Sequence, residues 1–95
     1  MTAGIRLKVP DEAAGFIRSL HPDIKKKVRA GLRFILTDPL AGKALKEELE
    51  GLRSFRVSTF RIIYRIENAS ELHIVTIGPR SRIYEETYKK IMKKG

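Results

Sequence analysis

The sequence predicts an α+β fold: a largely antiparallel sheet with helices on one face, in the order β-α-α-β-β-β-α. Two patterns carry this expectation. From Leu52 to Ile77 the chain reads as three successive alternating stretches joined by short turns, the signature of hairpin-connected strands. Before them, Ile24, Val28, Leu32 and Ile35 fall at helical spacing, with Phe34 and Leu36 widening the apolar side. Strands that follow helices, rather than alternate with them, favour a segregated α+β arrangement.

Taken in order, "GIRLKV" alternates Ile5, Leu7 and Val9 with Arg6 and Lys8, the period of a half-buried first strand. Pro10 then opens "PDEAAGFIRSL", where early acids and Phe16, Ile17 and Leu20 predict a short helix. His21-Pro22-Asp23 breaks it, and the second helix follows. Its remaining surface carries Lys25, Lys26, Lys27, Arg29 and Arg33. Thr37 to Gly51, punctuated by Pro39 and Gly42, reads as a connecting loop with a helical turn around Ala44–Leu49. Strands are expected at about 52–58, 60–67 and 71–77, with Ser58-Thr59 as one tight turn and Asn68-Ala69-Ser70 as the next. Gly78-Pro79 ends the last strand, and "YEETYKKIMKK" forms a closing helix.

The 95 residues, with no repeat, linker or low-complexity tract, predict one domain over 1–95 with a modest core. No apolar run reaches the ~20 residues that span a bilayer, and the basic closing helix has too little apolar surface to anchor in one. "MTAGIRLKVPDEA" lacks the pattern of a secretory leader. With no cysteine, disulfides and thiolate chemistry are excluded, and no metal or cofactor is expected. A cytoplasmic protein follows. Twenty Lys and Arg against eleven Asp and Glu leave a net charge of +9, which favours a polyanionic partner.

The placement of that charge is unusual. Leu52 to Tyr84 holds Arg53, Arg56, Arg61, Arg65, Arg80 and Arg82 against only Glu67 and Glu71 among the residues up to that tyrosine. Side chains alternate across a strand, so Phe60, Ile62, Tyr64 and Ile66 share one face while Arg61, Ile63 and Arg65 share the other. Phe55 and Val57 likewise oppose Ser54 and Arg56. One face is therefore apolar and packed under helices; the other presents Arg56, Arg61 and Arg65, with Arg80 and Arg82 just past the strand end. Guanidinium groups bind phosphate bidentately and stay charged at any relevant pH. Several of them beside Tyr84 suit an RNA backbone or a phosphate gaining charge during cleavage. Tyr64, on the apolar parity, reads as core; His21 and His73 read as ordinary surface or packed residues, and Glu47, Glu48 and Glu50 as a solvated turn.

Two segments, "LRSFRVSTFRIIYRI" and "IGPRSRIYEETY", resemble the RelE/ParE superfamily of toxins from type II toxin–antitoxin pairs, closer to its RelE branch. The first is similar to the family hairpin, the second to its Ile-Gly-x-Arg ending followed by a hydrophobic-Tyr pair. "LHPDIKKKVRAGLRFILTDP" is similar to its second helix. The resemblance implies a ribosome-dependent mRNA endoribonuclease in which a 2′-hydroxyl attacks the adjacent phosphate. It implies catalytic roles for Arg56, Arg61, Arg80 and Tyr84; by their charge, Arg53, Arg65, Arg82, Lys25 and Lys26 are expected to contact RNA or phosphate. Where relatives keep lysines on the first hairpin strand, this chain has Ser54 and Arg56, which leaves Tyr84 as the candidate for the proton step. The partners implied are a cognate antitoxin with an acidic or amphipathic segment, the ribosome with its mRNA, and promoter DNA through the antitoxin complex. A ParE-like DNA gyrase inhibitor, or a degenerate toxin that only binds its antitoxin, is the alternative.

Overall fold

The computed structural model describes residues 4–94; residues 1–3 and 95, counted in the single domain and in the leader reading above, lie outside it. Five strands, β1 (Arg6–Lys8), β2 (Lys43–Ala44), β3 (Arg53–Val57), β4 (Phe60–Asn68) and β5 (Glu71–Pro79), form one sheet in the order β1-β5-β4-β3-β2. Three helices complete the fold: α1 (Asp11–Arg18), α2 (Pro22–Thr37) and α3 (Ile83–Lys94). The class is α+β as the sequence predicts. β2, β3, β4 and β5 pair antiparallel, and β1 joins the far edge parallel to β5.

Local chemistry explains the boundaries. The His21-Pro22-Asp23 break is the start of α2: His21 Nδ1 accepts the Asp23 N–H, and Pro22 occupies the first turn, where its missing N–H costs nothing. The β3–β4 hairpin turns on Ser58-Thr59, with Val57 opposite Phe60. Ser58 has φ 57, the left-handed geometry such tight hairpins demand. The segment 37–51 is not all loop. Lys43 and Ala44 pair with Ser54 and Arg53, and Glu47–Leu49 forms a single 3-10 turn. Two residues of strand carry no readable alternation, so the pairing escapes sequence reasoning.

The larger core lies beneath α1 and α2. Val28, Leu32 and Ile35 from α2 and Ala13 and Ile17 from α1 meet Val57, Ile62, Tyr64, Leu72, Ile74 and Ile77 from the sheet. Gly31 is required here: a Cβ would stand 2.8 Å from Val57 Cγ2, so its absence lets α2 settle onto β3. Tyr64 is fully buried, as its parity predicts, and ties down the loop after α2. Its hydroxyl donates to the Pro39 carbonyl at 2.6 Å and accepts the Gly42 N–H at 2.9 Å.

One expectation requires correction: the helices do not all lie on one face. α3 crosses to the other side, where Ile83 joins Leu52 and Ile63 in a second cluster flanked by Leu45, Leu49, Val75, Tyr84 and Ile91. Ile63 is the physical reason. It is the apolar member of the arginine-bearing parity, and an isoleucine there needs a cover. A register slip after Ile63 leaves Val75 unpaired in the β4–β5 ladder, and Val75 packs in this same cluster. No helix among the described residues is long and apolar enough to cross a membrane.

Candidate functional site

β3 and β4 are antiparallel, which sets Arg56 directly across from Arg61. Like charges in that relation repel. Yet among the described residues neither has a carboxylate within ion-pairing distance, and the same holds for Arg80 and Arg82. Four acids pair with other cations, Glu71 with Arg6, Glu67 with Arg65, Glu85 with Lys89 and Glu12 with Lys90, while Glu86 lies beside Gly78 and shares a groove with Arg82 without an ion pair to it. A cluster of unneutralised guanidinium groups on a folded sheet is a preformed seat for an anion.

Ser54, next along β3 on the same face, organises the cluster. It is 1% exposed. Its Oγ lies 3.2 Å from Arg61 Nη1 and 3.2 Å from the Tyr84 hydroxyl. Arg61 is half-buried, and its Nε is enclosed without an acceptor among the described residues. Arg56 is exposed and donates from Nε to the Ser58 carbonyl at 3.3 Å, which directs it along the hairpin.

The Gly78-Pro79-Arg80 segment closes the site from the β5 side. Gly78 is the cross-strand neighbour of Arg61. A Cβ on Gly78 would meet Ile83 Cδ1 at 3.0 Å, so the missing side chain is what lets the start of α3 approach β5. The Arg80 N–H donates to the Thr59 carbonyl at 2.8 Å, tying Arg80 to the β3–β4 turn, the same end of the sheet as Arg56 and Arg61. Tyr84 follows in the first turn of α3 and packs beside the cluster of Leu52, Ile63 and Ile83.

The four residues expected to be catalytic, Arg56, Arg61, Arg80 and Tyr84, thus come to one end of the sheet, with Arg56, Arg61 and Tyr84 on one face of it. The expected auxiliary cations divide. Arg82 sits by α3 and lines a groove of about 490 Å³ with Glu12, Glu86, Lys89 and Lys90. Arg65 lies about 13 Å farther along β4 from Arg61, from four residues at the usual strand rise. There it donates to Glu67 Oε1 at 2.8 Å and to His73 Nδ1 at 3.1 Å. Because an arginine only donates, that second bond makes His73 Nδ1 an acceptor and leaves Nε2 to donate to Glu71 Oε1 at 3.2 Å. This donation, with Lys8 and Arg6 nearby, holds the Glu71 carboxyl below the usual range against the opposing effect of its burial. Arg53 is directly across from Tyr64, sharing its parity with Phe55 and Val57 on the α2 side. Lys25 and Lys26 belong to α2, on that far side of the sheet. Arg53, Lys25 and Lys26 are therefore not part of the arginine–tyrosine cluster.

Ser54 is the member that sequence reasoning passed over. Parity placed it beside Arg56, but nothing in a lone serine announced its burial. No group of three or more potential metal ligands occurs among the described residues.

The arrangement matches known proteins. A family model described as "ParE toxin of type II toxin-antitoxin system, parDE" matches residues 11–84. Among solved structures, the RelBE2 toxin–antitoxin complex from Mycobacterium tuberculosis is similar at 27% identity and a TM-score of 0.72, covering 82% of this chain and 100% of that one. A mutant of the E. coli toxin RelE in the free state is similar at 17% identity and a TM-score of 0.73, covering 97% and 98%. The archaeal RelE–RelB complex from Pyrococcus horikoshii is similar at 19% and 0.65, covering 84% and 99%. No curated protein matches the chain significantly in sequence.

Proposed function

We propose, from the premise that this chain belongs to the ParE toxin family of type II toxin–antitoxin systems, that it is a toxin that cleaves messenger RNA on the ribosome. The observation that carries this reading is the set Arg56, Arg61, Arg80 and Tyr84, gathered at one end of the sheet, with no carboxylate in ion-pairing distance of the arginines among the described residues. In the reaction, the 2′-oxygen bonds to the adjacent phosphorus while the bond to the 5′-oxygen breaks. The 2′-hydroxyl loses its proton and the departing oxygen gains one, leaving a 2′,3′-cyclic phosphate and a 5′-hydroxyl. Arg61 and Arg80 hold the phosphate and offset the charge it gains. Arg56 extends the basic surface along the strand for the flanking backbone. The Tyr84 hydroxyl is the group in the cluster suited to proton exchange, since a guanidinium keeps its proton and is a poor base.

The site is active on the ribosome, which places the protein in the cytoplasm. An antitoxin with an acidic or amphipathic segment covers the basic face in the resting cell, and charge neutralisation of a +9 domain favours that association. Promoter DNA is reached through the antitoxin. Two of the similar solved structures are themselves toxin–antitoxin complexes, which supports such a partner.

The test is cleavage mapping. Programmed ribosomes and the same naked mRNA are incubated with the protein, and new 5′ ends are mapped. New ends on the ribosome alone, reduced on the order of 10²-fold or more in Arg61→Ala and Arg80→Ala variants that still fold, are expected. Unchanged cleavage in both variants overturns the site. A second reading is favoured by the family model's own description as a ParE toxin: inhibition of DNA gyrase by binding. No cleavage, with supercoiling by gyrase blocked, would select it.

A further inference from the structure

We infer that Ser54 is a positioning residue that holds the Arg61 guanidinium and the Tyr84 hydroxyl as one unit. The inference rests on the nuclease reading above for its functional half, and on geometry alone for its structural half. Both groups are bonded to the same oxygen at 3.2 Å, and that oxygen is on a serine 1% exposed in the middle of a strand. A guanidinium has only donors. The Ser54 Oγ therefore accepts from Arg61, and the remaining contact, to Tyr84, is a hydroxyl–hydroxyl bond that can run in either sense.

The two senses have different consequences. When Tyr84 donates to Ser54, the lone pairs of its oxygen are left facing outward and can accept a hydrogen bond from a substrate hydroxyl. When Ser54 donates to Tyr84, the phenolic proton is free to point outward and can be given. Rotation of two hydroxyl groups interconverts the states without moving a heavy atom. The guanidinium, by fixing one lone pair of Ser54, ties this choice to the group that binds the phosphate. Ser54 also lies opposite Ile63, which is fully buried, so the strand pairing fixes the backbone that presents its oxygen to the two partners.

A serine here takes over part of what a lysine on the same strand would do. It contributes no charge of its own. Instead it fixes the geometry of a charge from the neighbouring strand and a hydroxyl from the helix across the face. Positioning of this kind acts on the rate at saturation, because a misplaced group binds nearly as well but reacts less often.

The experiment uses the full chain and three forms: wild type, Ser54→Ala and Ser54→Thr, the last retaining an oxygen in place. Single-turnover cleavage on programmed ribosomes is measured with the thermal midpoint of each form. Two-dimensional NMR then follows the Arg61 Nε–H and Tyr84 ring signals. For Ser54→Ala we expect a fall in saturating rate on the order of 10²-fold. The half-saturating concentration should stay within about twofold, the Arg61 and Tyr84 signals should shift and broaden, and Ser54→Thr should recover most of the rate. A Ser54→Ala protein that is folded and cleaves at the wild-type rate overturns the proposal. So does a rate loss matched entirely by the fraction unfolded. If wild type cleaves nothing, the nuclease reading falls by itself. The NMR signals then decide alone: unmoved Arg61 and Tyr84 resonances in Ser54→Ala refute the positioning role, and moved ones uphold it.

Discussion

Replacing Tyr64 by Phe removes one oxygen from the larger core and leaves the ring. The magnitude follows from what that oxygen touches. The Gly42 N–H, on a buried residue, loses its acceptor at 2.9 Å, and a buried donor left unpaired costs about 1–3 kcal/mol. The Pro39 carbonyl, on a half-buried residue, loses a donor at 2.6 Å but can turn to water, so only the net value of a hydrogen bond is lost, about 1 kcal/mol. Together these give about 2–4 kcal/mol, or a thermal midpoint lower by roughly 10–30 °C for a domain of this size. Urea denaturation is the assay, with the midpoint falling and the slope unchanged. Because Tyr64 is on the face opposite the arginine cluster, cleavage per folded molecule should be intact. A loss below about 0.5 kcal/mol would refute the account of the loop; a stable variant without activity would refute the structural role. The same hydroxyl predicts an alkaline limb. Burial, opposed by the Gly42 hydrogen bond and Arg53, raises its pKa above the ordinary 10.0. Its contribution is therefore full below pH 10.0 and lost as the pH climbs from there through the folded value. Tyr64→Phe should lack that limb.

Ser58, at φ 57, holds a left-handed conformation that glycine adopts freely. Ser58→Gly should raise stability by about 0.5–1 kcal/mol in the same denaturation assay. At Gly78, an alanine Cβ would press Ile83 at 3.0 Å. Gly78→Ala should cost about 1–3 kcal/mol and, by shifting the start of α3, slow cleavage more than it weakens binding. Glu71 carries the acid limb. Its carboxyl, held low chiefly by the His73 N–H, contributes stability that is full above the ordinary 4.5 and lost as the pH falls through the folded value. Glu71→Gln should flatten that part of the acid titration of stability.

What could be read from the sequence was what repeats. Alternation over Phe60 to Ile66 fixed β4, its two faces and the core position of Tyr64, and helical spacing from Ile24 to Ile35 fixed α2. The turn at Ser58-Thr59 followed because both flanking strands were unmistakable. Features resting on single contacts were hidden. β2 is two residues long, too short for any period. The burial of Ser54 depends on Tyr84, thirty positions away along the chain. The face taken by α3 was legible in part, since Ile63 is the one residue between Arg61 and Arg65 that shares their parity, and it is apolar. It asks for a cover that an open face would not supply. Arg53 shows the converse: it has the right residue type and lies close in sequence, but its parity belongs to Phe55 and Val57. The cluster of expected catalytic residues was legible because four positions, on two strands, the turn after β5 and a helix start, share one end of the sheet; the auxiliary cations rest on charge alone, and charge has no direction.

The order of the strands also has a consequence for how this protein is made. β1 is the first strand synthesised, yet its partner in the sheet is β5, with Arg6 opposite Glu71. The central ladder likewise waits for β5. The arginine cluster needs residues from β3, β4, the β5 end and α3, so every part of the site except Ser54, Arg56 and Arg61 comes from residue 78 onward. Chains emerge at ~5–20 residues per second and domains fold as units. A growing polypeptide therefore holds no assembled arginine–tyrosine cluster until Arg80 and Tyr84 have been made. Under the nuclease reading, the ribosome that translates this message is spared by topology until the segment through Tyr84 has emerged from it.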